Sequence, residues 1–144
     1  DHMKRVTLAR IVLNEKTPEQ TVYLKEVGGR GRMVPVIIGI FEANSIQMGL
    51  YNIPIERPLT HDLIFVILES LKCSLLRVDI VKLEKGTFFA ELVLETPEGV
   101  IRVDCRPSDA LSLAARKQIP IYMAPEVFSA AATGDPAGNF ENGD

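Results

Sequence analysis

The sequence predicts one α+β domain: a mixed, largely antiparallel sheet or pair of sheets, built from two strand meanders and packed against about three to four helices. Three observations carry this. Short Val-, Ile- and Leu-rich runs broken by Gly and Pro turns occur in two groups of three. Each group is followed by apolar residues at helical spacing. The 144 residues, 47% of them hydrophobic, suffice for a single core.

The first meander comprises a run from Lys4 to Leu13, an alternating run from Gln20 to Val27, and Met33 to Ile38, ended by Gly39. Gly28-Gly29-Arg30-Gly31-Arg32 joins the last two as a hairpin turn. It lacks the lysine and following Ser/Thr of a phosphate-binding P-loop, although its two arginines could touch a phosphate. Phe41 to Tyr51 changes period, with Ala43, Ile46 and Leu50 at helical spacing. A stronger helix follows from Thr60 to Leu71. Leu63, Val66, Ile67 and Leu71 share one face, and Ile64, Phe65 and Leu68 widen it, so this helix is expected to be central.

The second meander runs Leu75 to Leu83, Thr87 to Thr96 and Val100 to Cys105, with turns at Glu84-Lys85-Gly86 and Pro97-Glu98-Gly99. A helix through Lys117, a short strand Ile119 to Met123 and a helical stretch near Pro125 to Ala132 complete the domain, placed at 3–130. The remainder, 131–144, is expected to be a disordered tail, because its Gly, Asp, Asn and Pro content from Thr133 onward cannot build a core. Asp1 and His2 read as a cloning remnant before Met3, which leaves His61 as the one native histidine.

No run reaches membrane-spanning length without a charge or a proline, and the start resembles neither a signal nor a transit peptide. Cys73 and Cys105, far apart and in apolar surroundings, fit reduced residues of a cytoplasmic protein better than a bridge, a metal site or a nucleophile. The net charge of −3 argues against a strongly basic nucleic-acid binder. Without Asp1, Asp135, Glu141 and Asp144 there remain 15 acids against 16 bases, so any polyanion site must come from local clustering of arginines.

Two segments carry such clustering. Arg57-Pro58-Leu59-Thr60-His61-Asp62-Leu63 and Arg106-Pro107-Ser108-Asp109-Ala110-Leu111 each place Arg-Pro, a hydroxyl and an aspartate at a helix start. Unpaired N–H donors and the positive end of the dipole make that a place to hold an anion. Helix capping alone accounts for Thr60, Ser108, Asp62 and Asp109. It does not account for Arg57 and Arg106, whose charge opposes the dipole. They require either an ion pair with Asp62, Asp104 or Asp109, or a phosphate held by the guanidinium fork. His61 could move protons or bind a metal, or simply donate to a carbonyl; its neighbour Asp62 points about 100° away on a helix, so adjacency makes no dyad. Glu42, Asp62, Asp104 and Asp109 could form an oxygen-rich site for a divalent cation, though their spacing matches no metal signature. A weak repeat relates Glu42-Ala43-Asn44-Ser45-Ile46 to Asp109-Ala110-Leu111-Ser112-Leu113 and puts the two acids at equivalent points of two helices.

Val34-Pro35-Val36-Ile37-Ile38-Gly39 with Glu42-Ala43, the Arg57 to Leu63 segment, Gly86-Thr87-Phe88-Phe89-Ala90, and Asp104-Cys105-Arg106-Pro107-Ser108-Asp109-Ala110 stand in that order. This pattern closely resembles the bifunctional nuclease domain family of bacteria and plants, over about Val6 to Val127. Met33-Val34 replaces the leucine that commonly precedes the proline, and Cys105 replaces a small residue. The resemblance implies a wedge-like α+β domain, dimeric or larger, that cuts RNA and DNA; it assigns no catalytic roles.

Together these readings suggest a cytoplasmic nuclease. His61, Asp62 and Asp109 are its candidate catalytic residues. Arg57, Arg106, Thr60 and Ser108 are candidates for binding substrate, and Glu42 and Asp104 for holding a divalent cation, Mg or Mn. The expected partners are RNA, DNA and further copies of the chain, with no membrane. The alternative is a non-catalytic regulatory or binding module that recognises a phosphate-bearing ligand or partner.

Overall fold

The computed structural model describes residues 2–132. Strands β1 (Lys4–Val12), β2 (Glu19–Glu26) and β3 (Met33–Gly39) form the first meander, and helices α1 (Ile40–Leu50) and α2 (Thr60–Ser70) follow it. Strands β4 (Ser74–Glu84), β5 (Thr87–Thr96) and β6 (Gly99–Cys105) form the second, followed by α3 (Pro107–Lys117), β7 (Ile121–Met123) and α4 (Pro125–Ala131). The expected fold class holds, with four helices on one seven-stranded sheet among the described residues, ordered β3-β2-β1-β7-β4-β5-β6. Ala131 closes α4, and the tail expected beyond it lies outside the described residues from 133 onward.

β7 joins the meanders into one sheet. It pairs antiparallel with β1, where Arg5 faces Tyr122, and parallel with β4, where Asp79 faces Tyr122. Alternation then sorts the side chains: Val6, Val22, Leu24, Val34, Val78, Ile80, Leu92 and Ile121 turn to one face, where they form a single core with the helices. Turn chemistry fixes the register. Lys85 and Gly86, at φ 52° and 82°, allow the two-residue β4–β5 hairpin that only left-handed conformations close without splaying the strands. The Gly-rich loop is a hairpin connection too. Its Arg32 backbone N–H and Nε both donate to Glu26, at 3.0 Å each, and Lys4 Nζ reaches the same carboxylate at 3.1 Å.

The expectation of a central α2 is overturned. Among its residues only Phe65 is buried, while Leu63, Val66, Ile67 and Leu71 are between 46 and 61% exposed. An apolar surface wider than one stripe does not say which side meets the core, and here its broad side faces outward. The central helix is α3. Seven of its residues from Ser108 to Ala115 are buried, and Leu111 and Leu113 are fully enclosed. Truncating either leucine to alanine costs about 2–5 kcal/mol in such a setting.

Candidate functional site

The first turns of α1, α2 and α3 share one feature: Glu42, Asp62 and Asp109 are each the third residue of their helix. An acid there folds back toward the helix start and complements the dipole. Asp62 does so visibly, accepting from the Leu59 backbone N–H at 3.0 Å. Glu42 folds back over Gly39, where a Cβ would come within 2.4 Å of Oε1, so the glycine makes room for the carboxylate. The hydroxyls do not cap as expected. Leu59 and Arg106 occupy the N-cap positions, and neither makes a side-chain capping bond; Thr60 and Ser108 lie one and two residues inside.

Positions of α1 and α3 meet in register. Arg106 clasps Asp109 through Nε at 3.0 Å and Nη2 at 3.1 Å, and donates to Glu42 through Nη1 at 3.2 Å. Three residues on, the hydroxyls of Ser45 and Ser112 are hydrogen-bonded to each other. Seven residues on, Gly49 lies against Arg116, whose Cγ would be 2.8 Å from an added Cβ. Contacts at spacings of three and seven are those of two helices side by side and pointing the same way. Both N-termini therefore open toward Arg106.

α2 locks onto this pair through its first turn. His61 Nε2 lies 3.0 Å from Asp109 Oδ1, and Nδ1 lies 3.0 Å from Ser45 Oγ. Asp62 turns the other way, as helix geometry requires, and accepts from Arg116 Nε at 3.0 Å. Arg116, its side chain 7% exposed, also donates through Nη1 to the carbonyls of Ser45 and Ser112, at 2.9 and 3.0 Å, and to Ser112 Oγ at 3.2 Å. Burial pushes the Asp109 carboxyl up, but the hydrogen bonds from Arg106 and His61 outweigh it and hold the group below the usual range. The same contact with Asp109 raises Arg106 further.

Glu42 and Arg106 together line two cavities beside this cluster. The smaller, about 340 Å³, is also lined by Ser45, Leu59, Thr60, His61 and Asp109. The larger, about 680 Å³, lies between β3, the β4–β5 turn and the α3 start, with Asp104, Cys105 and Ser108 in its wall. The structure thus brings together Glu42, His61, Arg106 and Asp109, and ties in Asp62 through Arg116. Thr60 stands at the rim, Ser108 is buried, and Asp104 sits on β6 beside the larger cavity. Arg57 is exposed and, among the described residues, makes no hydrogen bond or ion pair.

Of the two partners open to Arg106, an ion pair with Asp109 is the one formed, and Glu42 is an additional one. Sequence reasoning missed Ser45, Ser112 and Arg116 as site residues, although the repeat had aligned the two serines. Cys105 is no nucleophile: burial, then the charges of Asp109 and Asp104, push its thiol up to about 12. Both cysteines are free. Among the described residues no three His, Cys, Asp or Glu side chains converge at metal-ligand spacing, and the carboxylates of Glu42, Asp62 and Asp109 are each engaged by an arginine.

Comparison with known proteins finds relatives of this chain. An uncharacterized protein of Mycobacterium tuberculosis is 36% identical over 129 residues, covering 90% of this chain and 76% of its own length. Bifunctional nuclease 1 of Arabidopsis thaliana is 26% identical over 77% of this chain, and bifunctional nuclease 1 of Oryza sativa subsp. indica 28% identical over 77%. The chain spans only about a third of those plant proteins, 35% and 34% of their lengths. The family model for the bifunctional nuclease domain matches residues 22–135, which include every residue of the cluster. The chain belongs to the bifunctional nuclease domain family.

Proposed function

We propose that this chain is a nuclease that hydrolyses phosphodiester bonds in RNA and DNA. The observation that carries the reading is the His61–Asp109 pair beside Arg106 in the wall of the 340 Å³ cavity, in a chain of this family. A neutral imidazole donates from one nitrogen and accepts at the other. Asp109 accepts a hydrogen bond from Nε2–H, so Nδ1 is the acceptor, and the carboxylate stabilises the imidazolium once Nδ1 has gained a proton. Arg106, its side chain 63% exposed, offers positive charge to a phosphate in either cavity. Asp62 acts at a distance, by holding Arg116 against α1 and α3. Thr60 and Ser108 contact the substrate from the cavity walls, and Arg57 contacts the phosphate backbone outside them. Attack that does not use a 2′-OH serves both nucleic acids.

Glu42 and Asp104 border one cavity and would be the protein's contribution to a bound Mg or Mn ion. The exposed apolar side of α2 supports assembly into a homodimer or larger oligomer. Two free cysteines support a reducing, cytoplasmic setting, and no described helix is long and apolar enough to cross a membrane. A second reading, a non-catalytic module that recognises phosphate, is favoured by one observation: the cluster's carboxylates are already neutralised by arginines.

Purified protein assayed on single-stranded RNA and DNA, with and without Mg or Mn, separates the two. The nuclease reading expects cleavage that His61→Ala lowers by about 10²–10⁴-fold. No cleavage under any condition, or cleavage unchanged in His61→Ala, sinks it.

A further inference from the structure

We infer that Ser45 is the nucleophile of this site. The inference rests on the nuclease reading for its substrate, but on separate geometry for its chemistry. Ser45 leaves α1 midway along the helix, lines the 340 Å³ cavity and places Oγ 3.0 Å from His61 Nδ1. His61 in turn is held by Asp109 at 3.0 Å. Nucleophile, base and orienting carboxylate are thus connected in order, and Arg106 lines the same cavity as a positive charge for the phosphate.

With His61 as the neutral imidazole, the ends of the chain of hydrogen bonds fix its direction. Arg116 can only donate, and the Asp109 carboxylate can only accept. The Arg116 guanidinium therefore donates to Ser112 Oγ, Ser112 O–H to Ser45 Oγ, Ser45 O–H to His61 Nδ1, and His61 Nε2–H to Asp109. For a neutral His61, any other direction leaves two donors or two acceptors facing each other. In this one, the Ser45 proton already points at its acceptor, and the oxygen left behind receives a hydrogen bond from Ser112. A helix-interior serine more commonly returns its proton to the carbonyl four residues back; Ser45 gives it to His61.

The reaction balances without a further reagent. The Ser45 proton passes to His61 Nδ1 as the Oγ–P bond forms. The P–O bond to the leaving nucleoside breaks, and its alkoxide takes the proton from His61. Water then attacks phosphorus, gives a proton to His61, and displaces Ser45 Oγ, which recovers that proton. The product is a phosphomonoester, and no 2′-OH takes part.

The test uses two readouts on the full chain. The wild-type protein is treated with diisopropyl fluorophosphate, which phosphorylates an activated serine with loss of fluoride, and the modified residue is located by peptide mass spectrometry. Nuclease rates are measured alongside for the wild type, Ser45→Ala and Ser45→Thr, each first checked for native circular dichroism. The expected result is one adduct on Ser45 that disappears in His61→Gln, with kcat at least about 100-fold lower in Ser45→Ala and KM changed less than about threefold. Because labelling uses the unsubstituted protein, it stands even if a variant fails to fold. Cleavage by the wild type with no Ser45 adduct, or with Ser45→Ala as fast as wild type, overturns the proposal and leaves the nuclease reading intact. A Ser45 adduct in a protein that cleaves neither RNA nor DNA supports the nucleophile and overturns the nuclease reading.

Discussion

The starts of α2 and α3 are near-copies in sequence and opposites in use. Both carry an aspartate as third helical residue, both follow Arg-Pro, and both face α1. At α3 the arginine is itself the N-cap, and Pro107 is the first helical residue, where its missing N–H costs nothing. At α2 the cap is Leu59, so Pro58 and Arg57 fall outside the helix. That two-residue insertion between Arg-Pro and the aspartate turns Arg106 onto Asp109 and Glu42 and leaves Arg57 in solvent. It also gives Asp62 a different partner, Arg116 of α3. Similar words therefore do different jobs: one start builds the charged wall of the cavities, while the other delivers His61 to it.

The link between the two starts is the place to break the comparison hardest. Arg116→Ala strips Asp62 of its partner and removes the donor to the Ser45 and Ser112 carbonyls. A loss of about 3 kcal/mol in urea-unfolding stability is expected. A loss below about 1 kcal/mol would mean that α2 docks by its apolar contacts alone. The same measurement on Arg106→Ala should give less than about 1 kcal/mol, because that guanidinium is largely exposed. Its cost lies in activity, which is expected to fall by about 100-fold.

What the sequence made legible follows from range. The β4–β5 and β5–β6 turns are written in Lys85-Gly86 and Pro97-Glu98-Gly99, so those strand limits came out within a residue or two. The acids of the first turns are local as well, and capping explained their positions. The union of the meanders into one sheet was not legible, because it hangs on the three-residue β7, whose partners Lys4–Val6 and Val78–Ile80 are distant in the chain. Arg116 was invisible for the same reason: its carboxylate lies 54 residues earlier. The repeat gave the best long-range hint. Glu42 and Asp109 share Arg106, and Ser45 meets Ser112, just where the aligned positions fall.

Acid sharpens the contrast next. The Asp109 carboxyl is pushed up by burial yet held below its usual value overall, because Arg106 and His61 favour its charged form. A carboxyl whose folded pKa is depressed contributes stability that is complete above the unfolded value of about 4 and is lost as pH falls through it toward the folded one. Asp109→Asn removes that contribution. Its stability should therefore fall less steeply with acid than the wild type's, a difference read from urea midpoints at several values below about pH 5. Equal slopes would show that the pair with Arg106 does not persist in solution.

The smallest effect belongs to Arg57, and it decides whether the second arginine is a site residue at all. With no partner among the described residues, Arg57→Ala should leave unfolding stability within about 0.5 kcal/mol of the wild type. If Arg57 touches a phosphate of bound single-stranded substrate, the slope of log affinity against log salt becomes shallower by about 0.7, one contact's worth. The chemical step proposed around Ser45, His61 and Asp109 does not involve it, so kcat should hold while KM rises severalfold. An unchanged salt slope would remove Arg57 from the substrate path and leave Arg106 as the working arginine of the pair. A fall in kcat equal to that of Arg106→Ala would instead mean that the α2 start swings its arginine into the cavity when substrate binds.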